Sequence, residues 1–194
     1  MQKILFLILS ITLCAVTATS AQVTNFGDYA NYTLTLDAST ADLDFGTVTN
    51  QGGTYNIPLN MTNVIRITGV KYLDVIVEVT GEPYLYYQGN PANAGDPSRR
   101  LPFTLNLAYA NNAGTPSIAN AKFVTGSNNY FLTTFPMLAR QGRPPGPPPA
   151  PPTKNFDQSV VNETAYLFFY GSINVGNVFA GPYESSITVT VNYD

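Results

Sequence analysis

Residues 187–193, Ile-Thr-Val-Thr-Val-Asn-Tyr, alternate apolar and polar side chains without a break. In an extended chain this period of two sends Ile187, Val189, Val191 and Tyr193 to one face and Thr188, Thr190 and Asn192 to the other. Such a strand needs a core beneath one face. The turn residues Ala180-Gly181-Pro182-Tyr183 stand just before it. The same grammar recurs along the chain. Strand-like runs are read at Tyr32–Leu36, Asp42–Gly46, Thr54–Leu59, Val64–Thr68, Tyr72–Val79, Tyr84–Tyr87, Pro102–Tyr109, Asn129–Thr133 and Ala165–Tyr170, with Gly, Pro, Asn and Asp between them. Tyr72–Val79 alternates most clearly, with Leu73, Val75, Val77 and Val79 opposed to Asp74, Ile76 and Glu78. No amphipathic helix of ordinary length is visible, and Ser117–Lys122 has room for one short turn. Many short strands, frequent turns and no internal repeat predict an all-β antiparallel sandwich.

The N-terminus reads as an export leader. Lys3 supplies a positive start, Ile4–Val16 an apolar centre, and Thr19-Ser20-Ala21 small residues, so cleavage is expected after Ala21. The apolar run is too short and wrongly flanked for a membrane span, and no later stretch is long enough to be one. Cys14, the sole cysteine, lies within this leader. Lipidation there calls for a small residue just before the cysteine, and Leu13 occupies that place. The mature chain then has no thiol for a disulfide, a metal site or a nucleophile, and must be held by its core alone. A domain of about 170 residues buries enough surface to do so. The expectation is a leader at 1–21 and one domain at 22–194, in a secreted, periplasmic or cell-surface protein.

Composition narrows the chemistry. There is no histidine, which removes Ser-His-Asp and Cys-His catalysis and histidine metal ligation. The formal charge is −3, or −4 once Lys3 leaves with the leader, and four lysines and five arginines lie scattered. That distribution makes no basic track for nucleic acid. Glu78, Glu82, Glu163 and Glu184 are dispersed and suggest no catalytic carboxylate pair. Asp37, Asp42 and Asp44 lie close together but lack calcium-loop spacing, and read as solvated acids near a strand edge. No catalytic, cofactor or metal residue is expected, and the chain reads as a non-enzyme.

Two further segments have distinct chemistry. Residues 143–152, Arg-Pro-Pro-Gly-Pro-Pro-Pro-Ala-Pro-Pro, cannot donate ladder hydrogen bonds and are read as a proline-rich loop inserted in the domain. Tyr84, Tyr86 and Tyr87 form an aromatic cluster after Pro83, open to two readings: a surface that stacks on glycans, or ordinary sandwich packing. Arg99-Arg100 is read as an exposed loop charge pair. Sequons at Asn31, Asn60 and Asn162 are at the level expected by chance in an Asn/Thr-rich chain.

The element Leu43-Asp-Phe-Gly-Thr47 and the terminal run from Gly176 to Tyr193, with its Gly-Pro-Tyr turn and Thr-Val-Thr-Val ending, resemble secreted bacterial fimbrial-subunit-like domains, including the spore coat protein U-like group. The resemblance implies an immunoglobulin-like sandwich, often incomplete, whose missing strand a neighbour supplies by strand addition. It brings no catalytic residues. This chain departs from the group in lacking a cysteine pair and in having the proline-rich loop. On this reading the partners are further copies or other surface-assembly subunits. Ile187, Val189, Val191 and Tyr193 form the assembly edge, and Tyr32, Leu34 and Leu36 are either a donated strand or the domain's own first strand. The alternative is a non-catalytic carbohydrate- or surface-binding module that uses Tyr84, Tyr86 and Tyr87.

Overall fold

The computed structural model describes residues 34–38, 42–49, 52–71, 73–139 and 162–194. The expected leader with Cys14, the residue Tyr32 and the proline-rich segment 143–152 lie outside the described residues. Among the described residues, twelve strands run in chain order: β1 Thr35–Asp37, β2 Gly53–Ile57, β3 Asn63–Val70, β4 Asp74–Gly81, β5 Tyr84–Tyr87, β6 Arg100–Ala110, β7 Lys122–Val124, β8 Gly126–Ser127, β9 Tyr130–Pro136, β10 Asn162–Val175, β11 Tyr183–Glu184 and β12 Ile187–Tyr193. The same residues contain no α-helix. The short turn expected near Ser117 is a 3₁₀ turn at Ile118–Asn120.

The strands form two antiparallel sheets. The larger runs β1-β3-β10-β6-β5-β11, with β2 also on β10 and β7 also on β6. The smaller runs β12-β4-β9-β8. One apolar core is shared between them: Ile65, Ile67, Leu105, Leu107, Leu167 and Phe169 come from the larger sheet, and Val75, Val77, Val79, Phe131 and Phe135 from the smaller. Tyr109 of β6 stacks on Phe135 of β9 with ring centroids 4.0 Å apart. The all-β sandwich expected from strand periodicity is therefore the architecture. Each fully buried valine of β4 contributes about 1.5–3 kcal/mol relative to exposure, which explains why its alternation is so regular.

Strand β10 is the spine of the larger sheet. Residues Asn162–Phe169 pair with β3, Gly171–Val175 pair with β2, and Tyr166–Ile173 pair with β6 on the other side. Its outer face is covered as well, since Tyr166 and Phe168 join Ala108 and Ala110 in a second cluster against Leu59, Val64, Ala121 and Tyr170. Burial on both faces makes Ala165–Tyr170 a continuous apolar run without alternation. At Gly171 a Cβ would stand 2.2 Å from the Thr104 carbonyl oxygen, so only glycine lets β6 approach β10 there.

One expected strand is absent. Residues Asp42–Gly46 alternate as predicted, with Leu43 and Phe45 half-buried and Asp42 and Asp44 exposed. They join no ladder among the described residues, because side-chain packing and not backbone pairing docks them on the core. Gly46 turns the chain at φ +67°, and its N–H donates to Asp44 Oδ1 at 2.7 Å.

Candidate assembly edge

Strand β12 lies at the rim of the smaller sheet. Its register sets Val189 opposite Val79, Thr190 opposite Glu78 and Val191 opposite Val77. Ile187, Val189, Val191 and Tyr193 face the core, as the alternation requires. They are nonetheless half-buried, whereas Val75, Val77 and Val79 of β4 are fully buried. The same residue type faces the same way in both strands. The difference is lateral: β4 has neighbours on both sides, and among the described residues β12 has a ladder partner only in β4. Thr188, Thr190 and Asn192 are exposed on the outer face.

The first strand does not close this rim. Thr35, Leu36 and Asp37 pair with Thr68, Ile67 and Arg66 of β3, in the opposite sheet. Leu34 is half-buried against the core and Leu36 is 39% exposed. Leu34 and Tyr193 meet over Gly69, where a Cβ would lie 2.9 Å from the Tyr193 hydroxyl and 3.1 Å from Leu34 Cδ1. That hydroxyl accepts from the Val70 N–H at 2.9 Å. The chain's early and final elements are thus brought together at one end of β3. Further along, the edges of the two sheets part around a cavity of about 260 Å³ lined by Leu36, Ala38, Ile65, Phe169, Ile187 and Val189.

Ile187 also lines a larger cleft, of about 1240 Å³, between residues 42–49 and the loop that leads into β12. Leu85, Leu101, Phe103, Ile173 and Val175 are among its apolar lining. Residues 42–49 enter it by side-chain packing: Leu43, Phe45 and Val48 lie against the core, and the Phe45 ring meets Phe103 edge-on at 6.1 Å. The Asp42 carbonyl accepts from the Asn63 side-chain amide. Leu43, Phe45, Val48 and the floor residues Ile65 and Phe169 were not singled out as site residues in the sequence. The alternation of Leu43 and Phe45 was the available signal, and it reads as one more strand.

Tyr84, Tyr86 and Tyr87 line neither cavity, but Tyr87 packs on Phe179 and Tyr183, which line the larger cleft. Tyr86 is buried and its hydroxyl donates to Glu82 at 3.2 Å. Tyr84 lies 6.3 Å from Tyr86 and beneath the Arg100 guanidinium at 4.3 Å. Tyr87 turns the other way, onto Tyr183 at 5.7 Å and Phe179 at 6.3 Å. Burial first, then the neighbouring Tyr87 and Asp96, raises the Tyr183 phenol above its ordinary pKa. Arg99 pairs with Asp96 at 3.4 Å and lies over Phe179 at 5.1 Å. Ser98 holds the Asp96 carboxylate below the ordinary aspartate range, through its hydroxyl and then its N–H. Among the described residues no three acidic, histidine or cysteine side chains converge to hold a metal. No helix among them is long and apolar enough to cross a membrane.

No family model matches the chain. No curated protein matches it. A solved structure described as "Chaperone-tip adhesin complex is vital for synergistic activation of CFA/I fimbriae biogenesis" contains a chain that aligns at a TM-score of 0.40 and 17% identity. The alignment covers 83% of this chain and 42% of that one, so this chain spans less than half of that chain's length.

Proposed function

We propose that this chain is an exported, non-catalytic structural subunit of a surface assembly, and that it associates by strand addition at the β12 rim. One observation carries the reading: core-facing side chains of β12 stay half-exposed beside an apolar cavity, at a rim whose ladder partner among the described residues lies on one side only. An added strand supplies backbone hydrogen bonds along its length and side chains that fill the seam. Natural sheets protect rims of this kind with lysine, proline or a bulge, and β12 has neither lysine nor proline. The leader-like N-terminus supports an extracytoplasmic location, and the role calls for no cofactor.

Sedimentation velocity of residues 22–194 over a wide concentration range tests the reading, alongside Val191→Lys. An inward-pointing charge at a rim blocks pairing, while a long side chain at this half-buried position keeps its ammonium in water. The wild type is expected to form species larger than a monomer. Val191→Lys is expected to be monomeric with an unchanged far-UV spectrum. A wild-type chain that stays monomeric throughout, alone and with its exported neighbours, rejects the proposal.

A further inference from the structure

We infer that the strand added at the rim is β12 of a second copy, paired antiparallel about a two-fold axis through Thr190. This rests on the assembly reading above and names its partner. The ground is the symmetry of the strand itself. Read outward from Thr190, Val189 matches Val191, Thr188 matches Asn192, and Ile187 matches Tyr193. Pairing two copies in that register puts apolar beside apolar on the inner face and polar beside polar on the outer one. A slip of one residue breaks every such pair, and a slip of two keeps the pattern but shortens the ladder within residues 187–193 from seven pairs to five. The two Thr190 side chains become a directly opposed threonine pair, a favourable cross-strand combination.

Charge agrees with a like partner. β12 has no charged residue, and Asp194 just beyond it falls opposite Ser186 of the copy. No like charges are opposed in the ladder, which would otherwise destabilise it. The axis runs normal to the sheet, so the inner faces of both copies point the same way. Val191 and Tyr193 of the copy, which fall opposite Val189 and Ile187, then come down beside Leu36 and Ala38 and cover the cavity. The interface is isologous and closes on itself, giving a dimer rather than a filament. Seven paired residues span about 23 Å. A contact built on one such ladder falls at the small end of specific interfaces, below roughly 1,200 Å², so the dimer is expected to dissociate readily on dilution.

The absence of cysteine from residues 22–194 makes the test clean. Thr190→Cys and Thr188→Cys each place a thiol on the exposed outer face, where neither disturbs the core. In the inferred register the two thiols of a Thr190→Cys dimer face each other within disulfide reach. Those of a Thr188→Cys dimer lie about 13 Å apart along the strands, beyond the limit of roughly 7 Å between Cα atoms. Under mild oxidation, Thr190→Cys is expected to form at least about tenfold more disulfide dimer than Thr188→Cys. Combining Thr188→Cys with Asn192→Cys is expected to restore the cross-link. A mixture of Thr190→Cys with Thr33→Cys chains separates the alternatives. If the dominant product joins those two different positions, the N-terminal segment is the added strand: the inference falls and strand addition stands. Equal cross-linking at 188 and 190, or none at 190 where the wild type self-associates, also overturns the inference alone. A chain that stays monomeric by itself overturns the inference, and one that stays monomeric with its exported neighbours as well overturns both.

Discussion

Asn111 and Asn129 are the buried polar side chains among the described residues, and each ties one sheet to the other. Asn128 and Asn129 form the two-residue turn between β8 and β9, with φ of 53° and 59°. Asparagine tolerates that left-handed backbone better than most residues. From there the Asn129 side chain crosses to β6: its Oδ1 accepts from the Leu105 N–H at 2.8 Å, and its Nδ2 donates to the carbonyls of Phe103 at 3.0 Å and Glu82 at 2.7 Å. All of its hydrogen-bonding capacity but one acceptor site is used. Asn111 does the same at the other end, where its Nδ2 donates to the Pro136 carbonyl at 2.7 Å. Asn129→Ala leaves a buried N–H and two carbonyls without this partner. It is expected to cost about 2–4 kcal/mol, read as a lower urea midpoint. Asn129→Asp retains the acceptor but turns a carboxylate oxygen toward two carbonyls, and is expected to be no milder.

The elements differ in how they are held. Strand β10 has neighbours along both edges and cover on both faces, while residues 42–49 have side-chain packing without a ladder. Amide exchange reads this difference, because exchange tracks local opening. The amides of residues 42–49 are expected to exchange several orders of magnitude faster than those of Val75–Val79, although Leu43 and Phe45 touch the same core. The comparison also shows why some elements were legible in the sequence. β4 and β12 have one face inward and one outward, so their residues alternate, and Tyr84–Tyr87 was bounded as it stands. β10 was read only as Ala165–Tyr170, because its ends are set by where β2 and β3 meet it. β7, β8 and β11 are two or three residues long and exist because a neighbouring edge is there to receive them. Asp42–Gly46 shows the converse: alternation makes a face, and a strand also needs a partner. The seam was legible only in part. Its β12 side followed from periodicity. Its far side depends on β1 joining β3 in the opposite sheet, a pairing that local sequence does not encode.

At the scale of the molecule, one core between two sheets implies that neither sheet survives alone. Unfolding in urea is expected to be a single transition for the described body, with tyrosine fluorescence and far-UV circular dichroism superimposing. Two separated transitions would show the sheets to be independent. The smaller sheet has a temporal consequence as well. Val77 of β4 meets Val191 of β12, with every strand from β5 to β11 encoded between them. Loop-closure entropy must be met before that contact stabilises anything, so pairing of this kind folds on the millisecond-to-second scale instead of in microseconds. During synthesis β4 stands with one edge bare until nearly all the described chain has emerged. The smaller sheet is therefore completed only once β12, the last strand among the described residues, has emerged.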